Sequence, residues 1–403
     1  MTRDRGVVIS LQTAPEQTED FSLFLGGPVY QFLLRVGLVK PPLDRLKWRL
    51  LVIVMMAWAP LLVLTLLGGR CLGGVKIPFL HDFEVQVRLL ASLPLLIAAE
   101  ITIHNRMTVI LRQFRERRVV TPELDSRFEA IIASALRLRN STAIELGLMA
   151  FVLAAGGLVW RQVAGLGSDT WYASVTPAGR AVSPAGYWYL FVSVPISQFI
   201  AVRWYYRLVI WWRLLWQVSK LELNLVPTHP DRSCGLGFLD GIVFAMAPFL
   251  LAHSCLLSGF LAIRILYEGA RLPDHYGEIG VVAAYLAVLT LGPLCVFTPS
   301  LLRARREGLL RYGKLGSDYV IAFDRMWIGG DRPPEEPLVG TGDIQSLADL
   351  SNSYDIVRSI IPFPFGRSSL VGLVVVIALP LLPLALTMFS LQELVMRLVK
   401  IVL

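Results

Sequence analysis

Charged residues are scarce in this chain. They make up 17% of its 403 residues, whereas hydrophobic residues make up 55%. Soluble domains carry about 25% charged residues. The shortage of charge therefore argues against an ordinary soluble protein and favours a chain that crosses a membrane several times.

Cysteine is also scarce, and its positions argue against the usual cysteine-based sites. The four cysteines are Cys71, Cys234, Cys255 and Cys295. They form no CxxC pair and match no zinc-ligand spacing. We therefore expect neither a disulfide framework nor a metal site, and the sequence predicts no cofactor.

The beginning of the chain lacks the apolar core of a cleavable signal peptide. Six of the first twenty residues are charged, which is incompatible with such a core. We predict that residues 1–47 form a cytoplasmic N-terminal tail and that its first twenty residues are mobile.

Recognisable enzyme motifs are missing as well. The chain has no Walker motif, no GxSxG, no HExxH and no Rossmann glycine pattern. An enzyme is therefore not the favoured interpretation. The net charge of +8 does not indicate nucleic-acid binding, because most basic residues lie in loops where they orient a membrane protein.

Long apolar runs are what the chain has instead. A membrane helix needs roughly 20 apolar residues to cross a hydrocarbon core of about 30 Å, and its backbone groups must be satisfied within the helix. Seven runs meet this requirement, at 48–68, 86–104, 143–163, 186–206, 238–263, 279–301 and 369–390. We predict an all-α fold: a polytopic membrane helix bundle of about seven spans, with long helices that project into a cytoplasmic helical layer.

The connections divide the rest of the chain into three parts. Residues 48–302 are predicted to form a six-span bundle with a helical cytoplasmic extension at 105–142. Residues 303–367 follow as a cytoplasmic helical segment. Residues 368–403 form the seventh span, or a hairpin that returns at two prolines, and then an amphipathic C-terminal helix.

Lysine and arginine alternate in number between successive connections. The connections before the first span and after the second, fourth and sixth spans are rich in them, and the other connections carry few. Short cytoplasmic loops carry this excess in membrane proteins. The pattern predicts a multi-pass protein with its N-terminus in the cytoplasm.

The end of the fourth span is rich in aromatic residues and arginine. Its sequence is RWYYRLVIWWRLLW (203–216). Tryptophan and tyrosine concentrate at the membrane–water interface, and arginine side chains extend toward it. We interpret the segment as an anchoring belt; the alternative is an aromatic ligand site.

Ionisable residues inside spans are candidates for function, because each costs about 2.5–3.5 kcal/mol at the helix centre. Carboxylates and imidazoles can relay protons or coordinate cations, so one set of residues is a candidate ion or proton path. Its members are Glu100, His104, Glu145, His253 and Arg264. The alternative is that each pairs with a neighbouring arginine and fixes the packing of the helices.

A second candidate site is the segment PTHPDRSCGLGFLD (227–240), called the HPDR turn below. Backbone amides at a helix start, next to an arginine, can hold an anion such as a phosphate or a lipid headgroup. The candidate residues are His229, Asp231, Arg232, Gly235 and Gly237. The alternative is a tight structural turn capped by Asp231.

Residues 343–361 predict a short amphipathic helix with Asp343 as its N-cap. The favoured interpretation is a helix packed on the cytoplasmic layer, and the alternatives are a helix that binds a protein partner and an element that lines a pore. The amphipathic C-terminal segment could pack on a neighbouring subunit, so a homo-oligomer is a further hypothesis. The lipid bilayer is the partner that the composition requires.

Two segments, HPDRSCGLGFLD and GTGDIQSLADLSNSYDIVRSI, resemble those of an uncharacterised family of bacterial multi-pass inner-membrane proteins of about this length. The resemblance extends from the fourth span to the C-terminus. It implies a bacterial inner membrane and no particular activity or catalytic residue.

Together these features favour passage of an ion or small solute through the helix bundle, gated by the cytoplasmic helices, with the HPDR turn at the cytoplasmic mouth. One alternative is a non-transporting scaffold or signalling subunit that binds a protein partner. The other is an enzyme that acts on lipid headgroups at the HPDR turn.

Overall fold

The computed structural model describes residues 21–38, 45–163, 170–176, 179–330, 337 and 341–386. Helices make up nearly all of the regular structure in these ranges, which confirms the predicted all-α fold. They are α1 (Pro28–Arg35), α2 (Leu46–Leu67), α3 (Phe83–Val87), α4 (Leu93–Glu116), α5 (Asp125–Arg139), α6 (Thr142–Val163), α7 (Pro184–Trp188), α8 (Val194–Val218), α9 (Gly241–Ala245), α10 (Ala247–Tyr267), α11 (Tyr276–Cys295), α12 (Thr298–Phe323), α13 (Asp343–Arg358), α14 (Arg367–Ala378) and α15 (Leu382–Leu386).

The strands found within the described ranges form one small hairpin. Strand β1 (Ala173–Thr176) pairs antiparallel with β2 (Gly179–Val182), and Ala173 lies opposite Val182. The hairpin belongs to the connection between α6 and α7. It leaves the helical architecture unchanged.

Six helical segments in the described ranges are long and apolar enough to cross a membrane. They are Leu46–Leu67, Phe83–Glu116, Pro184–Val218, Ala247–Tyr267, Leu272–Cys295 and Arg367–Ala385. A seventh results if Pro122–Arg139 and Thr142–Gly156, which meet at an angle of 44°, act as one broken span. The chain is therefore a multi-pass membrane protein with six candidate spans in the described ranges, or seven if the bent pair counts as one.

Two of the long spans contain a wide turn just before a proline. Arg88–Ser92 precedes Pro94 in one span, and Tyr189–Ser193 precedes Pro195 in the other; both are π-helical. Proline lacks an N–H donor and its ring clashes with the carbonyl four residues earlier. A π turn moves that carbonyl away and keeps the helix continuous, so each span has one register change near its start.

Part of the predicted N-terminal tail is packed into the bundle. Phe21, Ser22 and Leu23 are fully buried and Phe24 is 1% exposed, and the segment continues into α1. Residues 21–35, called the N-terminal segment below, therefore belong to the core and are not a free tail. Residues 1–20, predicted to be mobile, lie outside the described residues.

Helices α12 and α13 pack on each other after the sixth predicted span. Their contact requires a small residue, because a Cβ at Gly308 would lie 2.8 Å from Val357 Cγ1 and 2.8 Å from Pro227 Cβ. Asp343 is the first residue of α13 and Gly342 is the N-cap, so the predicted N-cap was one residue too late. The predicted amphipathic C-terminal helix falls largely on residues 387–403, outside the described residues.

Candidate functional site

A cluster of five buried ionisable side chains lies inside the bundle. Its members, called the charge cluster below, are Arg49 on α2, Glu100 on α4, Glu145 on α6, and Arg203 and Arg207 on α8. Arg49 Nη1 lies 2.9 Å from Glu100 Oε2, and Arg207 Nη1 lies 2.7 Å from Glu100 Oε1. Arg203 Nε lies 3.1 Å from Glu145 Oε1. The two predicted acids are thus brought together through arginines of one helix.

The charge cluster changes the interpretation of the aromatic, arginine-rich end of the fourth span. Arg203 and Arg207 are 9% and 4% exposed, and Trp204 and Trp211 are 1% and 2% exposed. The anchoring-belt prediction is therefore wrong for these four residues. They turn into the bundle because the carboxylates of neighbouring helices offer the guanidinium groups a partner that lipid does not.

The N-terminal segment covers the charge cluster. The ring of Phe24 lies 4.4 Å from the guanidinium carbon of Arg207, which is within cation–π range. The backbone N–H of Val29 donates to Glu145 Oε2 at 2.9 Å. Gly27 has φ +87°, and a Cβ there would lie 2.9 Å from Glu145 Oε1. A glycine is required at this position by both the backbone conformation and the close approach.

Two further contacts hold the first residues of the segment. The Thr108 hydroxyl on α4 donates to the carbonyl of Phe21 at 2.9 Å. Arg139, at the end of α5, donates to the carbonyl of Ser22. The segment is therefore fixed to the bundle before Phe24, through Thr108 and Arg139, and after Phe24, through Glu145.

A separate cavity of about 510 Å³ lies in the same bundle, between the start of the second span and helices α8, α10 and α11. His253 lines it, and His253 Nδ1 lies 2.8 Å from the carbonyl oxygen of Phe249. Because a carbonyl only accepts, Nδ1 carries the proton, and Nε2 accepts from the Tyr205 hydroxyl at 2.7 Å.

The cavity combines apolar walls with polar groups. Gln198 lines it, and the buried Oε1 atom of that residue has no hydrogen-bond partner among the described residues. An ion pair of Arg88 and Glu84 lines the cavity as well. Tyr285 and Phe260 are 46% and 37% exposed, so the cavity reaches the surface of the bundle. These groups can hold a small polar molecule or ion.

A series of aromatic rings separates the cavity from the charge cluster. The rings of His253 and Phe249 lie 4.3 Å apart, those of Phe249 and Trp204 5.4 Å apart, and those of Trp204 and Phe24 5.0 Å apart. Trp204 Nε1 donates to the carbonyl of Leu96 at 2.9 Å, which holds the indole in place. The cavity and the cluster are therefore close along α4 but closed off from each other.

The two other members of the predicted path lie apart from the charge cluster. No hydrogen bond or ion pair links His104 to the cluster within the described ranges, and the Nδ1 atom of His104 is buried without a partner there. Arg264 pairs with Glu278 at 3.3 Å and stacks on Phe260 at 4.4 Å. The structure therefore joins Glu100 and Glu145, places His253 beyond the aromatic rings, and leaves His104 and Arg264 outside.

The sequence analysis did not identify the three arginines of the charge cluster as site residues. Arg49 and Arg207 lie at the ends of predicted spans and were counted with the basic connections, and Arg203 was assigned to the interfacial belt. A signal was present in the sequence. Two arginines spaced four residues apart lie on one helix face, and acids inside other spans require cationic partners.

The HPDR turn is built around the carboxylate of Asp231. Its Oδ1 accepts from the N–H groups of Ser233 at 2.8 Å and Gly235 at 3.1 Å, and its Oδ2 accepts from Gly237 at 2.8 Å. His229 Nδ1 lies 2.9 Å from Oδ1. The glycine amides considered for an external anion therefore donate to Asp231, and this geometry corresponds to the structural alternative.

Electrostatics reinforce that arrangement. Burial would raise the pKa of Asp231, but the three N–H donors and His229 lower the pKa below its ordinary value. Burial and the charge of Asp231 raise the pKa of the Cys234 thiol to about 12. Cys234 is therefore a protonated thiol at neutral pH. Arg232 is exposed, and its carbonyl accepts from Ile361 N–H at 3.0 Å.

Comparison of the chain with protein-family models, with curated proteins and with solved structures found no match. The resemblance based on the HPDR and DIQSLADL segments stays a prediction.

Proposed function

We propose that this multi-pass membrane protein passes an ion or small solute through its helix bundle. The observation that carries the proposal is the pair of polar regions inside the bundle, the cavity at His253 and the charge cluster, separated only by aromatic rings. Leu96 lines the cavity and Glu100 lies one turn later on α4. Ionisable groups inside membrane proteins mark substrate and ion pathways by default.

In this proposal the described conformation is closed. Phe249 and Trp204 block the route from the cavity, and the N-terminal segment blocks the far side of the charge cluster. Opening requires the segment to leave, which breaks the contacts of Phe24 with Arg207 and of Val29 with Glu145. In this proposal the ion pairs between the acids and the arginines keep the route closed. The sequence, in contrast, predicted an ion or proton path formed by the ionisable residues themselves.

The proposal places the protein in a bacterial inner membrane with its N-terminus in the cytoplasm. The alternation of basic connections supports that orientation. The N-terminal segment then closes the bundle from the cytoplasmic side, so a cytoplasmic element provides the gate.

Flux measurements in proteoliposomes test the proposal. We expect Phe24→Ala to raise ion or proton flux several-fold above wild type, because the variant loses the ring that covers Arg207. Phe32→Ala is the matched control: Phe32 lies in the same segment but is 63% exposed, and its flux should equal that of wild type. Glu145→Gln should act in the same direction as Phe24→Ala, because it weakens the anchor for Val29.

The readout must be taken on folded protein, verified by a single size-exclusion peak and an unchanged helical circular dichroism spectrum. Absence of flux from folded wild type and folded Phe24→Ala, across several ions and a pH gradient, would contradict passage of those ions.

A second candidate function is binding of a protein partner, or of a second copy, at helices α12 and α13. Ile344 on α13 and Leu310 on α12 are 68% and 71% exposed, and an apolar groove of about 910 Å³ lies between the two helices. An exposed apolar patch of this kind fits the apolar face of an amphipathic helix.

A further inference from the structure

The charge cluster is not balanced. Three arginines and two glutamates leave one positive charge without a carboxylate among the described residues. The five side chains are between 4% and 12% exposed, so water screens the excess only weakly. A buried charge without a partner is costly, by several kcal/mol, and the fold needs a compensating negative group.

The donors of Arg49 show where compensation is missing. Its side chain is 4% exposed and binds Glu100 through Nη1. Nη2 reaches only the carbonyl of Ile97, at 3.3 Å, and the buried Nε has no acceptor in the described part of the chain. Arg207, in contrast, is covered by the ring of Phe24, which offsets part of its charge.

We infer that the charge cluster binds a small monovalent anion such as chloride, next to Arg49 Nε. This inference deepens the proposed function, on which it rests, by naming the class of ion that the route would favour. Arginine-lined constrictions select anions. The unpaired donor is a single N–H group, so it suits a small monovalent ion better than an organic anion that needs several donors.

The test measures binding without transport. Thermal unfolding of the purified full-length protein in detergent is followed in chloride, bromide and gluconate at one ionic strength. A ligand that binds only the folded state raises the Tm with its concentration. We expect chloride and bromide to raise the Tm above the value in gluconate, with a saturable dependence, and bromide to give an anomalous diffraction peak beside Arg49.

Two variants move the affinity in opposite directions. Arg49→Met removes the excess charge, and it should weaken halide binding about tenfold or more, in line with loss of a charge-assisted bond. Glu100→Gln adds a second excess charge and should tighten halide binding even though it lowers the Tm itself. Arg303→Met, at an exposed arginine of α12, is the matched control and should leave halide binding unchanged.

Equal Tm values in the three salts, or parallel shifts in all variants, would overturn the anion site. That result would mean that another part of the chain, such as the acids of residues 1–20, supplies the missing charge. Halide binding without flux in both the wild type and Phe24→Ala would support the site and contradict the passage function. Flux without halide binding would support the passage function and contradict the anion site.

Discussion

Arg207 illustrates how single residues organise this protein. Its guanidinium lies 2.7 Å from Glu100 Oε1 and under the ring of Phe24. A guanidinium inside a membrane bundle is tolerated when its charge is paired and its donors are bonded. Removing one partner of such a buried pair costs about 3–5 kcal/mol. Arg207 therefore ties α4 and the N-terminal segment to α8.

Asp231 has a comparable role outside the spans, and its effect depends on pH. Its pKa is lower in the folded protein than the ordinary value of about 3.9. A group with a lowered folded-state pKa contributes stability that is present above its unfolded-state pKa. That stability is lost as the pH falls through the folded-state pKa.

We expect Asp231→Asn to lower the free energy of unfolding at pH 7 by about 1–3 kcal/mol, because buried N–H donors lose their carboxylate acceptor. The difference between wild type and variant should shrink as the pH falls below about 4, where the carboxylate of the unfolded state begins to take up a proton, and should vanish below the lower folded-state pKa. Denaturant or thermal unfolding at a series of pH values measures this difference in the free energy of unfolding. Asp318→Asn, at an exposed position of α12, is the control and should change little. A difference that stays constant with pH would contradict the electrostatic account of the turn.

At the scale of elements, α12 and α13 form a pair that extends the fold beyond the spans. Gly308 allows the close approach to Val357, which is fully buried. The Arg305 Nη2 donor adds a bond to the Arg358 carbonyl at 2.9 Å. The helix pair is thus anchored at the end of α13, whereas Ile344, near the start of α13, is 68% exposed.

That exposed start gives a test of partner binding. Ile344→Ser should weaken self-association or capture of a defined partner by roughly tenfold, because a largely exposed isoleucine contributes about 1–2 kcal/mol when an interface buries it. Gln345→Ser changes a neighbouring exposed residue and should have no effect. Analytical ultracentrifugation of the wild type and both variants in detergent provides the first readout. A purely monomeric wild type would exclude the second copy as the occupant.

For the whole molecule, the side of the membrane on which each connection lies depends on whether α5 and α6 act as one span. Connections after an even number of spans lie on the same side as the N-terminus, which is predicted to be the cytoplasm. The connection after Glu222 decides the matter, because only a span at α5 and α6 returns it to the side of the N-terminus.

We expect a fluorescent protein fused after Glu222 or Gly330 to be bright, and alkaline phosphatase fused at those positions to be inactive. Fusions after Gly74 should behave in the opposite way, because that connection follows the first span. Active phosphatase after Glu222 would mean that α5 and α6 stay on one side of the membrane. The reverse pattern at all three positions would contradict the predicted orientation.

The class of the protein and most of its helices are predictable from the amino-acid sequence. Apolar runs are a local property: about 20 such residues suffice for a span whatever the neighbours are. The predicted runs at 48–68 and 279–301 accordingly overlap α2 and α11 closely. The acids Glu100 and Glu145 were also identifiable as candidates, because an ionisable residue in an apolar run is visible without a structure.

The contacts of those acids, in contrast, depend on how the helices pack. Glu100 meets Arg207, 107 residues away, and Glu145 meets Arg203, 58 residues away, and no local pattern specifies such pairings. The same holds for Phe24, which lies in the predicted N-terminal tail but packs its ring against Arg207. Membrane helices pack through contacts and ion pairs that depend on which faces meet, so arginines that suggested an interface belt became the centre of the bundle.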